Sequence, residues 1–230
     1  MVKRIHQIFF DMGRGDLATA GNGRFLESHR HTKRFCSKHD FQYTLWDRDA
    51  VERLVRKFPD PYPRFYHKMR TDIQRVDFAK YLILYAKGGI YLDLDVHIEG
   101  RSAPKRLAEL FHLDHVFVRW NDSNLPYNAV LGSKRKQPLF RKIIEECRAS
   151  YLEKAKMPIY RKWKGRFVFQ TTGHFMLQRV LKQEGIQPET YLDIMHIESK
   201  GKTIRAPNPL FHDTNASVWW GVAPPRDAVV

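Results

Sequence analysis

Cysteine is scarce: Cys36 and Cys147 are the only two in the chain. At most one bridge could form, which excludes a disulfide framework and argues against a thiolate metal centre. Long apolar runs are also missing, and no stretch approaches the roughly 18 residues that span a bilayer. Met1 leads almost directly into a strand pattern, without a charged start, apolar stretch and cleavage site, so a soluble, cytoplasmic chain is expected. Internal repeats and linker-like tracts are absent, which favours one domain over residues 1–230, with residues 1–100 and 101–230 as its two halves. Acidic residues are in the minority. Twenty-five Asp and Glu stand against 40 Lys and Arg, a formal net charge of +15. Such a surface favours polyanionic partners: a phosphorylated or lipid-linked glycan, an anionic membrane touched peripherally, or nucleic acid. The charge comes with no recognised nucleic-acid motif, so no specific nucleic acid is expected.

What the chain does have is an alternation of strand and helix patterns. Strands are expected at Arg4–Phe10, Gln42–Trp46, His115–Trp120 and Tyr127–Leu131. Helices are expected at Arg24–His39, from the cap residue Asp47 to Lys57, from Thr71 or Asp72 to Lys87, at Ser102–Phe111 and Pro138–Lys154, and from Gly173 to Gly185. Pro59, Pro61 and Pro63 predict a non-helical connection, and the chain from Pro207 onward reads as irregular. The alternation predicts an α/β fold with a mostly parallel central sheet flanked by helices. The loop from Asp11 to Gly23 is rich in glycine but lacks the dinucleotide-binding arrangement.

Residues 76–98 carry the most chemistry. A helical pattern runs into Gly88-Gly89, a short apolar strand follows, and it ends in Asp93 and Asp95. On an extended segment, carboxylates at i and i+2 point to one side and can share a cation. Ile90, Tyr91, Leu92, Leu94 and Val96 are apolar, so unpaired acids among them would cost several kcal/mol each. Carboxylate oxygens suit Mn²⁺ or Mg²⁺ rather than a soft metal. A bare Asp-X-Asp more often marks a solvated turn; the flanking pattern makes this one a metal candidate. Asp77 and Lys80, three apart on one helical face, would by themselves be a helix salt bridge. His29 and His31 stand two apart within a helix and do not face a common metal, so neither is given a role.

The stretch Val76 to Val96 resembles the Asp-x-x-Arg-Tyr … Gly-Gly-x-Tyr-x-Asp-x-Asp pattern of the DXD-motif glycosyltransferases, family 32. That family includes α-mannosyltransferases and is related to the catalytic domains of bacterial glucosylating toxins. Lys3–Phe9, Asn128–Leu139, Thr172-Gly173 and His212–Trp219 resemble further blocks of the family in the same order. The resemblance implies a GT-A-like nucleotide-sugar-binding fold. It also implies retaining, Mn²⁺- or Mg²⁺-dependent transfer from a UDP- or GDP-sugar to a glycan, lipid-linked or protein acceptor. Carried over, Asp95 is a direct metal ligand, Asp93 meets the ribose and the metal shell, and Asp77 touches the donor sugar. Lys80 stands where the family has arginine, with the charge but not the planar fork. His6 and Gln7 fall at the nucleotide pocket, and Trp46 is a candidate to stack on the base. Asn128, Ser217 and Trp219 complete the donor side, and His212 is the third metal ligand, with Asp213 and Asn215 as alternatives. No acid stands out as a covalent nucleophile, so the expected chemistry is a same-face displacement in which the leaving phosphate helps deprotonate the acceptor. The basic-aromatic run Arg161–Arg166 is either a contact for an acidic or phosphorylated acceptor or a solvated face. Two rival readings stand beside the enzyme. One is a basic nucleic-acid-binding protein; the other is a catalytically inactive glycan-binding relative, which Lys80 favours.

Overall fold

A computed structural model describes residues 2–13, 15–120, 124–199, 202–206 and 208–214. Strand β1 (Arg4–Ile8) leads through the glycine-rich loop to helix α1 (Arg24–Lys38), β2 (Gln42–Trp46), α2 (Arg48–Val55), α3 (Tyr62–Lys68) and α4 (Asp72–Lys87). Next come β3 (Gly89–Leu92), β4 (Val96–Ile98), α5 (Ala103–Leu110), β5 (His115–Arg119) and β6 (Pro126–Ser133). Helices α6 (Pro138–Lys154), α7 (Ile159–Lys162), α8 (Lys164–Thr171) and α9 (His174–Gln183) follow, then β7 (Met195–Ser199), β8 (Lys202–Arg205) and β9 (Phe211–Asp213).

The central sheet has the order β2-β1-β3-β6-β5. β1 runs parallel to β2 and β3, whereas β6 is antiparallel to β3 and β5. The α/β layout is as expected, and the sheet is mixed: β2, β1, β3 and β5 run one way and β6 alone runs against its neighbours. One core lies between the sheet and α4, α6, α8 and α9, the other between the sheet, α1 and α5.

Helix α4 is buried on nearly every side from Phe78 to Leu84, as a helix apolar all round must be. Thr71 caps it, its Oγ1 accepting from the Gln74 N–H at 3.3 Å. Gly88 and Gly89 end it at φ +65° and +108°. A Cβ on Gly89 would stand 2.5 Å from the Arg4 carbonyl oxygen, and one on Gly88 2.7 Å from the Arg135 nitrogen. Glycine is therefore needed for both the dihedral and the close approach that seats β3 beside β1.

Three expectations are corrected. The proline run does not stay non-helical: α3 starts at Tyr62 with Pro63 in its first turn, where the missing N–H costs nothing. The tail expected to be irregular from Pro207 onward is not so throughout, since Phe211–Asp213 forms β9. β7, β8 and β9 join β4 in a second sheet of order β4-β9-β7-β8, with His97 opposite His212 and Val96 opposite Asp213. Finally, Asp93 and Asp95 do not sit on a continuous strand. β3 ends at Leu92, the Val96 N–H closes a turn onto the Asp93 carbonyl at 3.0 Å, and β4 begins there in the other sheet.

Candidate active site

That turn lies beyond the end of β3, beside the end of β1, and its acids face a cleft with about 940 Å³ of open space. The walls are apolar: Phe9, Phe10, Met12 and Phe25 on one side, Ile73 and Val76 of α4 and Val168 and Phe169 of α8 on the other. The floor is polar and contains Asp77, Lys80, Tyr91, Asp93, Asp95 and Asn128. Five of the residues expected from sequence thus meet at one place.

Lys80 organises the floor. Only 2% exposed, its ammonium reaches Asp77 Oδ1 at 3.0 Å, Asp93 Oδ1 at 3.2 Å and the Asn128 carbonyl at 3.2 Å. Its three N–H donors therefore have three protein acceptors, and the Nζ also stands 5.0 Å from the Tyr91 ring centre. Asp77 receives Lys80 and the Asn128 amide (3.2 Å) on one oxygen and the Thr172 hydroxyl (3.0 Å) on the other. Burial pushes the Asp77 carboxyl above its usual range, opposed by Lys80 and the Thr172 hydrogen bond. On Lys80, burial acts downward, but the charges of Asp93 and Asp77 outweigh it and the net direction is upward. The two directions disagree about a shared proton. Three donors converge on Asp77, so the pair is the ion pair, with the lysine charged. Lys80 consequently serves the two acids from beneath.

Asp93 is more open, its side chain 31% exposed, and it takes the Tyr91 hydroxyl at 2.7 Å. Its backbone is fixed as well: the N–H donates to the Ala129 carbonyl at 2.7 Å, and the Gln7 amide donates to its carbonyl at 3.3 Å. Gln7 is buried and accepts from the Tyr43 hydroxyl at 2.7 Å, and Tyr43 lies 2.8 Å from His29 Nδ1. Since the phenol donates to Gln7, His29 Nδ1 donates to the phenol. Gln7 is thus a brace for the turn rather than a wall of the cleft, and His29, which had no role from sequence, steadies the brace.

His6 and Trp46 are placed elsewhere. Trp46 Nε1–H donates to His6 Nδ1 at 3.2 Å, which leaves Nε2–H to donate to the Gly88 carbonyl at 3.0 Å. Buried with both ring nitrogens engaged, His6 has its pKa lowered to about 4, chiefly by desolvation. Neither residue lines the cleft; they tie β1 and β2 to the end of α4. On β9, alternation separates the two candidate third ligands. His212 turns to Glu99, with Nδ1 2.7 Å from the carboxylate, and sits against the His97 ring. Asp213 turns the other way, to the hydroxyl of Tyr127. Burial, and then the charges of Asp213, Asp95 and Asp93, raise the Tyr127 pKa well above its ordinary value. The neighbouring Thr214 N–H and hydroxyl both donate to the Asp95 carbonyl, at 3.1 and 3.2 Å. Asn215, Ser217 and Trp219 lie outside the described residues.

Residues passed over in the sequence are Tyr91, Tyr127 and Thr172. Tyr91 and Thr172 stood inside recognisable blocks, two residues before Asp93 and directly before Gly173, and that position was the available signal. Among the described residues no three acid, histidine or cysteine groups stand close enough to hold a metal by themselves. Asp93 and Asp95 nevertheless fit Mn²⁺ or Mg²⁺, since hard cations are commonly held by one or two carboxylates together with substrate phosphates.

The mixed sheet, with an acidic turn where it hands over to a second small sheet, defines the class: a GT-A glycosyltransferase-type α/β fold. The PaToxG glycosyltransferase shares it at a TM-score of 0.51 and 16% identity, covering 80% of this chain and 69% of that one. In sequence, residues 27–110 match the glycosyltransferase sugar-binding region containing the DXD motif. An uncharacterised glycosyltransferase of Acanthamoeba polyphaga mimivirus is 32% identical over 104 residues, 44% of this chain and 39% of that protein. The inositol phosphoceramide mannosyltransferase 2 of Schizosaccharomyces pombe is 34% identical over 110 residues, 46% of this chain and 29% of that one. The chain resembles the DXD-motif glycosyltransferases, as its central stretch indicated. It spans less than half the length of these curated relatives.

Proposed function

We propose that this protein is a metal-dependent glycosyltransferase that moves a sugar from a nucleoside-diphosphate donor to a glycan, lipid-linked or protein acceptor. The observation that carries the reading is the floor of the cleft, where Asp77, Lys80, Asp93, Asp95 and Asn128 meet under apolar walls inside or next to the matched DXD region. Departure of a diphosphate builds negative charge at the leaving oxygens; a divalent cation held by Asp93 and Asp95 would supply Lewis-acid stabilisation there. Asp213, on the same side of β9 as the phenol that Asp95 and Asp93 act upon, is our choice over His212 for the third acidic group. The chain's own contribution is preorganisation: Lys80, Tyr91 and Gln7 fix Asp93, and Asn128 and Thr172 fix Asp77, before any donor arrives.

Retention of configuration follows from the resemblance alone, and the state of Asp77 bears only on whether a covalent intermediate forms. Held by three donors, Asp77 suits orienting a sugar hydroxyl better than attacking a carbon. A same-face displacement, with the leaving phosphate taking the acceptor proton, then needs no covalent intermediate. The donor is UDP- or GDP-linked, and mannose leads among the sugars because several of the relatives are named mannosyltransferases. Their names include inositol phosphoceramide, and this basic chain suits a phosphorylated, lipid-borne acceptor.

Melting the protein with a panel of nucleoside diphosphates, each with Mn²⁺ and with chelator, tests the donor site. A ligand at about 100 times its Kd adds about 2.7 kcal/mol, a Tm shift of roughly 5–10 °C for a chain this long. The expected result is a metal-dependent shift with one nucleotide that disappears in Asp95→Asn, with turnover of the matching sugar nucleotide falling at least about a hundredfold. No shift with any nucleotide would sink the reading.

A further inference from the structure

Large apolar side chains seldom cluster on a surface without a partner to meet. Six are exposed among the described residues, and four of them fall between positions 152 and 163: Leu152 and Met157 at 38%, Ile159 at 50% and Trp163 at 60%. Ile159 and Trp163 stand four apart, on one face of the single turn of α7 and its end. Trp163 occupies the corner between α7 and α8, with φ −105° and ψ 68°, and its ring is not part of either core. The inner side of the same corner is well packed without it: Tyr160 lies 5.7 Å from Phe167, and Phe167 has the Arg70 guanidinium 4.9 Å from its ring centre.

The charges around these tips all have one sign. Lys156, Arg161, Lys162, Lys164 and Arg166 are exposed, and among the described residues none is in an ion pair with an acid. The one acid in the sequence from 152 to 166, Glu153, is matched by Lys154 at 3.3 Å. We propose that this corner docks on an anionic lipid bilayer, with Trp163, Ile159 and Met157 entering the headgroup region and the five basic side chains meeting lipid phosphates and carboxylates. Indole rings settle at the membrane interface, and lysine and arginine gain from an anionic leaflet. The aliphatic tips decide against nucleic acid: Ile159, Met157 and Leu152 have nothing to gain from a phosphate backbone and cannot stack on bases as an aromatic platform does.

The corner is also continuous with the cleft. Helix α8 begins at Lys164 in the patch and runs to Val168 and Phe169 in the cleft wall, and Thr172 just after it bonds Asp77. The helix is eight residues long, about 12 Å. Docking would therefore hold the cleft beside the lipid surface, where a lipid-borne acceptor would present its head. That orientation rests on the transferase reading, whereas the docking does not.

Sedimentation with vesicles of phosphatidylcholine alone, and of phosphatidylcholine with about a third phosphatidylserine, tests the proposal. Binding is expected only to the anionic vesicles, weakening about fivefold for each basic residue removed and falling sharply in Lys162→Glu/Lys164→Glu. Ile159→Ser/Trp163→Ser should abolish it while leaving the melting temperature and the nucleotide-Mn²⁺ shift unchanged, because both side chains are exposed and distant from the floor. Brominated lipid should quench tryptophan emission in the native protein and not in Trp163→Phe. Failure to bind anionic vesicles, binding that survives both double variants, or retention on a DNA duplex but not on vesicles would each overturn the proposal. The nucleotide shift reports separately on the donor site, so one reading can fail without the other.

Discussion

On the floor of the cleft, Asp77, Lys80 and Asp93 form a charged cluster of which only Asp93 meets solvent to any extent; elsewhere, His31, His97 and His212 form a chain of rings that ends on Glu99. The first holds Asp93 itself, and the second ties α1 to the strand that follows the turn. In the first, a lysine with almost no exposure bridges two carboxylates at 3.0 and 3.2 Å. In the second, His31 stacks on His97 at 5.3 Å and donates Nε2–H to the Ile98 carbonyl (2.9 Å), while His97 meets His212 at 6.3 Å between ring centres. The histidine chain joins α1 to the β4–β9 pair, is partly exposed, and ends in a close contact between His212 and the Glu99 carboxylate. The difference lies in what each cluster leaves behind when a member is lost. Removing a ring from the belt exposes its partners to water; removing the lysine leaves two acids facing each other in the interior.

The largest effect should therefore come from Lys80→Met. Breaking a buried pair by removing one partner typically costs about 3–5 kcal/mol, since an uncompensated charge remains. The variant should unfold many degrees below the parent and bind no donor. Neutralising the acid as well, in Asp77→Asn/Lys80→Met, should recover part of the lost stability while activity stays absent. If the double variant is no more stable than the single one, the coupling inferred between Asp77 and Lys80 is wrong. Denaturant melts of the two single variants and the double make the comparison.

Acid probes the histidines more gently. His6 and His174 are buried, and desolvation lowers each to about 4 from an ordinary 6.5. His97 shifts downward too, first through burial and then through His31 and His212. Between pH 6.5 and 4 the unfolded chain binds more protons at these sites than the folded one, so stability rises with pH across that window. It is fully present above the upper value and is lost as the pH falls through the window. For His6 the loss is on the order of 3 kcal/mol. His6→Asn should flatten the dependence of Tm on pH there, and an unchanged slope would remove His6 from the account.

Legibility followed the range over which each constraint acts. The helix cap at Thr71, the double glycine and the Asp-X-Asp are local requirements of backbone and charge, so the floor of the cleft could be read nearly whole. The turn was hidden because apolar residues run on through it, Ile90 to Leu92 into one sheet and Val96 and Ile98 into the other, which imitates a single strand. His6 and Trp46 look like ligand-facing groups in sequence; only tertiary packing reveals that they satisfy each other. The same holds for β7 to β9. These strands are three to five residues long, two of them polar in composition, and the one that joins them to β4, β9, comes from more than a hundred positions away.

The smallest expected effect is also the one that chooses between two neighbours on β9. His212 meets a Glu99 side chain 38% exposed, and a contact so open to solvent contributes at most about 1 kcal/mol. His212→Ala should lower Tm by a few degrees or less and leave the Mn²⁺ dependence of nucleotide binding as it was. Asp213→Asn removes a charge beside Tyr127, where Asp95 and Asp93 also act, and should weaken the metal-dependent shift with little change in the absence of metal. Titrating Mn²⁺ against both variants at fixed nucleotide separates the cases. A loss of metal dependence in His212→Ala, with Asp213→Asn unaffected, would mean that β9 turns its other face to the site when donor binds, and the histidine belt would then belong to the catalytic machinery rather than to its support.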